Sequence, residues 1–125
     1  MGRLTGAVSQ RADSYQFFVD YWEEEPDIAN NTRVVGATAY IYCSKHTAYA
    51  SNQAQKLIID GTEFTNSLYV DLSPGVTVAL VSGSKTITHD DDGTKTINIS
   101  AECNLPDGSG WRTCLGKLKS KCRTN

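Results

Sequence analysis

The chain has 125 residues, of which 39% are hydrophobic, and a formal net charge of −2. A chain of this length can close one hydrophobic core but is too short for two domains, and none of its apolar runs approaches the roughly 20 residues that a transmembrane helix needs. We therefore expect residues 1–125 to form a single globular domain with no membrane insertion.

The charge is distributed unevenly along the chain. Residues 1–111 hold all 14 acidic residues and seven of the 12 basic ones, a net charge of −7, whereas residues 112–125 hold the other five basic residues. A basic tail can contact phosphate groups, but an acidic body repels nucleic acid. We therefore predict no nucleic-acid partner, and we interpret the terminal lysines as a solvated edge that discourages sheet-to-sheet aggregation.

The first half of the chain predicts two β-strands that follow a polar start. Residues 1–14 are polar and predict either a loose leader or a short first strand. Apolar and polar residues then alternate over 14–23 and again over 32–43, which is the period of a β-strand. In the second of these strands larger, partly aromatic residues share one face, and small or aliphatic residues share the other: Val35, Ala37, Ala39, Ile41 and Cys43.

A long loop is predicted after these two strands. Residues 44–54 show no sustained apolar period, and they carry Tyr49. Long loops in small domains are often functional. We therefore treat Tyr49 as a candidate binding residue.

Asp-Gly pairs mark two hairpins in the second half of the chain. Asp60-Gly61 and Asp92-Gly93 each lie between two alternating segments, and the glycines supply the positive φ that a tight turn requires. The later strands are predicted over 55–59, 62–70, 76–88, 94–105 and 111–118, and a basic tail follows over 119–125. Seven or eight short strands with no helix predict an all-β fold, an antiparallel β-sandwich with a jelly-roll-like arrangement.

Three consecutive aspartates and four cysteines are the candidates for a metal site. Calcium loops place acidic ligands at alternate positions, whereas Asp90 to Asp92 are consecutive, and the cysteines form no Cys-x-x-Cys pair. We predict no metal and no cofactor. Cys43 and Cys103 are predicted to be buried thiols, and a disulfide between Cys114 and Cys122 would require that segment to turn back on itself.

No catalytic motif is recognisable in the chain. His46 and His89 lie in predicted loops or turns, and neither has a nucleophile in a known motif. Asp20 with Glu24 or Glu102 could be imagined as the two carboxylates of a glycosidase, but 14 acidic residues make such pairs easy to find by chance. We predict that the protein is not an enzyme and has no catalytic residues.

The outward face of the first two long strands carries aromatic rings. Trp22, Tyr40 and Tyr42 share this parity, and Asp20 lies beside them. Flat rings stack on the C–H faces of sugars while side-chain oxygens and amides take the hydroxyls. We predict a shallow saccharide platform here, assisted by Tyr49. The alternative is an inverted parity, in which the rings form the core and the small residues face water.

Several short motifs follow one another in a fixed order along the chain. They are Trp22, Asp27-Ile28-Ala29-Asn30-Asn31-Thr32, Tyr40-Ile41-Tyr42, Ile58-Ile59-Asp60-Gly61 and the closing His89-Asp90-x-Asp92-Gly93-x-Lys95-x-Ile97-x-Ile99-Ser100. In this order and spacing, over roughly residues 4–118, the chain resembles a domain of tailed-bacteriophage tail-tip and minor structural proteins. Two features depart from that family. Residues 116–122 differ from the Ile-Pro-Arg-like junction of many relatives, and four cysteines are unusual.

The resemblance implies a β-sandwich module of a phage tail or baseplate, some relatives of which hold the host-wall saccharide. It also implies a place in the virion after synthesis in the host cytoplasm, with host cell-wall polysaccharide and other phage tail proteins as partners. Two functions stay open at this point. One is a non-catalytic binding module for host attachment, and the other is a structural spacer that makes only protein contacts.

Overall fold

A computed structural model describes residues 2–5, 15–45, 47–104 and 111–122. Most of these residues belong to eight strands: β1 (Gly2–Thr5), β2 (Tyr15–Glu23), β3 (Thr32–Cys43), β4 (Ala48–Ile59), β5 (Thr62–Leu72), β6 (Thr77–Thr88), β7 (Thr94–Asn104) and β8 (Trp111–Lys121). The predicted all-β class is confirmed. None of the described residues forms a helix with the length and apolar character that a membrane crossing requires.

The strands form two antiparallel sheets of four strands each. The first sheet has the order β1-β2-β3-β6, and the second has the order β5-β4-β7-β8. The chain changes sheets after β3, after β5 and after β6. Both sheets contribute to one hydrophobic core, so the predicted β-sandwich is confirmed, and each sheet has one core face and one outer face.

The core is built from alternate residues of the strands. In β3 the residues at the predicted inward positions are at most 1% exposed: Val35, Ala37, Ala39, Ile41 and Cys43. The same cluster includes Leu57, Ile59, Ile97 and Ile99 from the second sheet. Full burial of a large aliphatic side chain contributes about 1.5–3 kcal/mol, so this face of β3 cannot turn outward. The prediction that Tyr40 and Tyr42 lie on the outer face of β3 is therefore confirmed. The alternative, in which the rings form the core and the small residues face water, is wrong.

The two Asp-Gly turns have the predicted backbone conformation. Asp60 and Gly61 both have positive φ, 48° and 82°, as a two-residue hairpin turn of the favoured twist requires. Gly93 has a φ of 79°, and Asp92 Oδ1 accepts hydrogen bonds from the backbone N of Thr94 at 3.0 Å and from its Oγ1 at 2.7 Å. Asp92 therefore shapes the turn. No three acidic, histidine or cysteine side chains converge into a metal site among the described residues.

Strand β4 occupies most of the segment that the sequence predicts as a long loop. It begins at Ala48 and contains a bulge between Ala50 and Gln53, where Asn52 has a φ of 57°. The inward positions change from Ala48 and Ala50 before the bulge to Gln55 and later odd-numbered residues after it. A bulge adds one residue to a strand and so interrupts the period of two. The predicted functional loop over 44–54 is therefore wrong; His46 lies outside the described residues.

The last strand is longer than predicted, and its extended backbone determines the distance between Cys114 and Cys122. Strand β8 ends at Lys121 rather than at 118, so the predicted basic tail belongs in part to the sheet. Cys114 and Cys122 lie near opposite ends of this extended segment, roughly 26 Å apart, whereas a disulfide needs Cα atoms within about 7 Å. The segment does not turn back, and the disulfide does not form. Cys43 and Cys103 are buried thiols, as predicted.

Candidate functional site

The outer face of the first sheet carries the aromatic residues of β2 and β3. These strands pair with Phe18 opposite Tyr40 and Gln16 opposite Tyr42, and farther along Trp22 lies opposite Gly36. The pairing that the saccharide platform presupposes is therefore present. We call the outer-face residues Gln16, Phe18, Asp20, Trp22, Tyr40 and Tyr42 the aromatic face.

A stacked ring pair lies at the centre of the aromatic face. The ring centroids of Phe18 and Tyr40 are 5.3 Å apart, and the two planes differ by 22°. Phe18 is only 6% exposed although its side chain lies on the outer face of the sheet. Stacked aromatic pairs contribute about 0.5–1.5 kcal/mol beyond their burial. The Tyr40 ring is thus held in place before any ligand arrives.

An open depression adjoins this ring pair. It has a volume of about 300 Å³ and is lined by Gln16, Phe18, Asp20, Tyr40, Tyr42 and Thr77. That volume is at the small end of the range for ligand sites, which is roughly 300–1,000 Å³. The lining combines three rings with a carboxylate, an amide and a hydroxyl. The structure therefore brings together three of the predicted site residues, Asp20, Tyr40 and Tyr42.

Three residues that line the depression were not among the predicted site residues: Gln16, Phe18 and Thr77. Gln16 and Phe18 have the same parity as Asp20, so the alternation of β2 was a sufficient signal for them. The position of Thr77 on the outer face depends on a bulge in the pairing of β3 with β6. At this bulge Ala39 pairs with Val81, but Tyr40 pairs with Ala79. The bulge turns Leu80 into the core and places Thr77 beside Tyr42.

Trp22 lies on the same face but away from the depression. Its indole ring covers Gly36, where an added Cβ would overlap the ring atoms. Phe18 and Trp22 are four residues apart on one strand, a separation of roughly 13 Å. The hydroxyl groups of Thr38 and Ser82, 2.9 Å apart, lie on the stretch of the face between them. A ligand in the depression therefore reaches Trp22 only if it extends along the strands.

Tyr49 does not join the other predicted site residues. It lies on β4 in the second sheet, is 67% exposed, and points to the outer face on the opposite side of the sandwich. Its ring is 6.4 Å from that of Tyr69, which is 55% exposed. The reason is topological, because the chain changes sheets between β3 and β4.

The imagined carboxylate pairs do not have the geometry of a glycosidase. Asp20 lies on the outer face of the first sheet, whereas Glu102 on β7 pairs with Lys56 in the second sheet. Asp20 lies within β2 and Glu24 beyond its end, and the depression that Asp20 lines does not include Glu24.

A chain of hydrogen-bonded polar side chains, with His89 and Ser120 buried and Glu23 partly exposed, joins three distant segments at one end of the sandwich. His89 Nε2 lies 2.8 Å from Ser120 Oγ, and Ser120 Oγ donates to Glu23 Oε1 at 2.6 Å. In a catalytic triad the histidine stands between the serine and the acid, but here the serine is in the middle. Ser120 is also 0% exposed. The chain of hydrogen bonds holds β2, the tip after β6 and β8 together.

Comparison with known proteins gives no family assignment, since no protein-family model matches the chain and no curated protein matches it.

Proposed function

We propose that this domain is a non-catalytic carbohydrate-binding module that attaches to a cell-surface saccharide through its aromatic face. The observation that carries the proposal is the depression beside the stacked pair of Phe18 and Tyr40, where rings and polar groups line the same small volume. Sugars present both C–H faces and hydroxyl groups, so their recognition needs both kinds of surface.

The rings supply the apolar part of the interaction. Tyr40 is half-buried against Phe18, and Tyr42 follows two residues later on the same face. Ordering a side chain on binding costs about 0.5–1.5 kcal/mol, and a ring that is already packed avoids much of this cost. A pyranose ring placed over Tyr40 and Tyr42 would therefore bind to a surface that needs little rearrangement.

The polar groups supply orientation. The Asp20 carboxylate, the Gln16 amide and the Thr77 hydroxyl line the same depression as the rings. A carboxylate is a hydrogen-bond acceptor for sugar hydroxyls, and hydrogen bonds to charged groups are the stronger kind. These three groups would select the ring face and the hydroxyl pattern of the bound sugar unit.

Trp22 extends the site toward a polymer. Its ring lies roughly 13 Å from the stacked pair along the strand, and the Thr38 and Ser82 hydroxyls lie between. A single sugar unit does not span this distance, whereas a short run of units does. The proposed ligand is therefore a polysaccharide chain that lies parallel to β2 and β3.

The biological setting that we propose is the tail of a bacteriophage. In this setting the ligand is the host cell-wall polysaccharide, other tail proteins are the neighbours, and the domain belongs to the virion. The support comes from the resemblance in sequence and from the β-sandwich that this resemblance implies. A β-sandwich serves many unrelated functions, so the aromatic face, not the fold, carries the assignment of a ligand.

Binding to isolated cell walls or to a glycan array tests the proposal. We expect Tyr42→Ala and Trp22→Ala to remain folded and each to weaken binding about three- to tenfold, because each removes one stacking surface. Tyr69→Ala is the matched control, since it removes an exposed ring from the opposite face. If both variants bind cell walls normally, the aromatic face is not the site.

A structural role in the tail is the second candidate, and a different surface favours it. Tyr49, Tyr69 and Leu115 are exposed on the outer face of the second sheet, at 67%, 55% and 71%. Tyrosine is enriched at the centres of protein interfaces. Loss of assembly with tail proteins in Tyr49→Ala and Tyr69→Ala, combined with no saccharide binding by the unaltered protein, would favour this function.

A further inference from the structure

A row of lysines follows the outer face of β8. Leu118 and Ser120 are buried, so the alternate residues Lys117, Lys119 and Lys121 point outward, and all three are exposed. Two residues of a strand span about 6.8 Å, which is the interval between successive lysines along the strand. Strand β8 is an edge of its sheet, so one side of the row is open.

No acidic side chain balances these lysines on the neighbouring strand. The pairing of β7 with β8 places Asn98 opposite Lys117, Thr96 opposite Lys119 and Thr94 opposite Lys121. Within the described ranges none of the three lysines forms an ion pair. The row therefore has no acidic side chain directly opposite it on β7 and runs beside a parallel row of amide and hydroxyl groups.

The row continues into a cavity at one end and a depression at the other. The cavity has a volume of about 460 Å³, and Arg33, Lys119 and Lys121 contribute to its lining together with Glu23 and Glu25. The Arg33 guanidinium is fixed there, because its Nε donates to Glu24 O and its Nη1 to Lys121 O, both at 2.7 Å, and its charge is balanced by Glu23 Oε1 at 3.8 Å from Nε. The net positive charge at this end therefore comes from the lysines.

The depression at the other end lies above Gly116. It has a volume of about 350 Å³ and is lined by Asn98, Ile99, Ser100, Leu115, Gly116 and Lys117. The two hollows and the lysines between them form one surface, which we call the basic strip.

We propose that the basic strip binds an anionic polysaccharide as an extended chain. Evenly spaced positive charges on a single strand suit a linear polymer with repeated negative charges. The exposed hydroxyl of Thr96 and amide of Asn98 are suited to sugar hydroxyls between those charges. This site is separate from the aromatic face and goes beyond the function proposed for that face.

The surroundings of the strip favour a polysaccharide over a nucleic acid. Proteins that hold single-stranded nucleic acid stack its bases on aromatic side chains, and no aromatic ring lines the strip among the side chains that the structure describes. Residues 1–111 carry a net charge of −7, so a wide polyanion such as a duplex would be repelled beyond the strip itself.

Binding to polygalacturonate, a polysaccharide with one carboxylate per sugar unit, tests the proposal. The double variant Lys117→Gln/Lys119→Gln should bind it about tenfold more weakly at low salt, because two ion pairs are lost. The matched control Lys45→Gln/Lys56→Gln makes the same change in charge away from the strip and should bind as the unaltered protein does. The unaltered protein should also lose affinity as salt is raised, since salt screens exposed charges.

Three outcomes would overturn the proposal. They are equal binding by the two double variants, no binding of polygalacturonate by the unaltered protein at low salt, and tighter binding of an oligodeoxythymidine than of polygalacturonate. The first two would leave the lysines as a solvated edge, and the third would identify a nucleic-acid surface. The salt dependence of binding distinguishes the basic strip from the aromatic face, because stacking on a neutral saccharide does not depend on ionic strength.

Discussion

The two outer faces of the sandwich obey the same alternation but differ in how their large side chains are held. On the first sheet Phe18 is 6% exposed and stacks on Tyr40, and Trp22 covers Gly36. On the second sheet Tyr49 and Tyr69 stand 67% and 55% exposed. The first face is packed before it meets a ligand, whereas the second is not.

Cross-strand partners explain this difference. The pairing of β2 with β3 places a ring opposite a ring and a ring opposite a glycine. The pairing of β4 with β5 instead places Tyr49 opposite Asp71, and Tyr69 lies at the bulge between Ala50 and Gln53. Directly opposed side chains are the nearest neighbours on a sheet, so register decides whether large residues cover one another. Outward parity alone therefore does not describe a surface.

The largest expected effect is on the core that both faces share. Phe17→Ala should lower the free energy of unfolding by about 3–5 kcal/mol, because Phe17 is completely buried between the sheets. Tyr42→Ala, a ring on the aromatic face, should cost about 1 kcal/mol or less. Urea denaturation of both variants measures the contrast, and equal losses would mean that the aromatic face belongs to the core.

A smaller loss is expected where the two sheets are tied by polar groups. Ser120→Ala removes the hydroxyl between His89 and Glu23 and leaves the buried His89 Nε2 without its partner, which costs about 1–3 kcal/mol. Glu23 contributes less to this cost, because it is partly exposed and keeps its ion pair with Arg33. Ser84→Ala is a suitable control because Ser84 is exposed on β6. A Ser120→Ala variant as stable as the control would show that water replaces the serine hydroxyl.

Replacing the glycine beneath Trp22 tests how firmly the aromatic face is packed. Gly36→Ala should cost about 1–2 kcal/mol, because the new Cβ overlaps the indole and the ring must move. Denaturation measures the loss of stability, and the near-ultraviolet circular dichroism of the tryptophan reports the movement of its ring. In the Trp22→Ala background the same substitution should cost much less, and an undiminished cost would place the strain elsewhere.

The smallest effect concerns the reactivity of a core thiol. Burial raises the pKa of the Cys43 thiol, so the reactive thiolate is scarcer than in an exposed cysteine at neutral pH. We expect slow alkylation of Cys43 in the folded protein and rapid alkylation in urea, as measured by peptide mass spectrometry. Because the folded pKa is raised, the stability contribution of this thiol is complete below the ordinary cysteine pKa and declines as pH rises above it. Rapid alkylation of the folded protein at neutral pH would contradict the buried position.

Local patterns in the sequence determined the strands and their inner faces. The alternation of β3 predicted which residues are buried, because the side-chain period of two is a property of a single strand. The turn at Asp60 and Gly61 was also predictable, since positive φ is a local preference of those residues. The same local information placed Asp20, Tyr40 and Tyr42 at the outward positions of their strands.

Only the tertiary structure decided what lies beside these residues. The bulge in β4 interrupts the alternation of its residues, so the sequence predicted a loop where the structure has a strand. The bulge opposite Tyr40 places Thr77 in the depression. The change of sheets after β3 carried Tyr49 to the far side of the sandwich. Ser120 and Glu23 are 97 residues apart in sequence, yet Ser120 Oγ lies 2.6 Å from Glu23 Oε1 in the fold. Such neighbours arise from strand pairing and sheet packing over long separations, which no local period encodes.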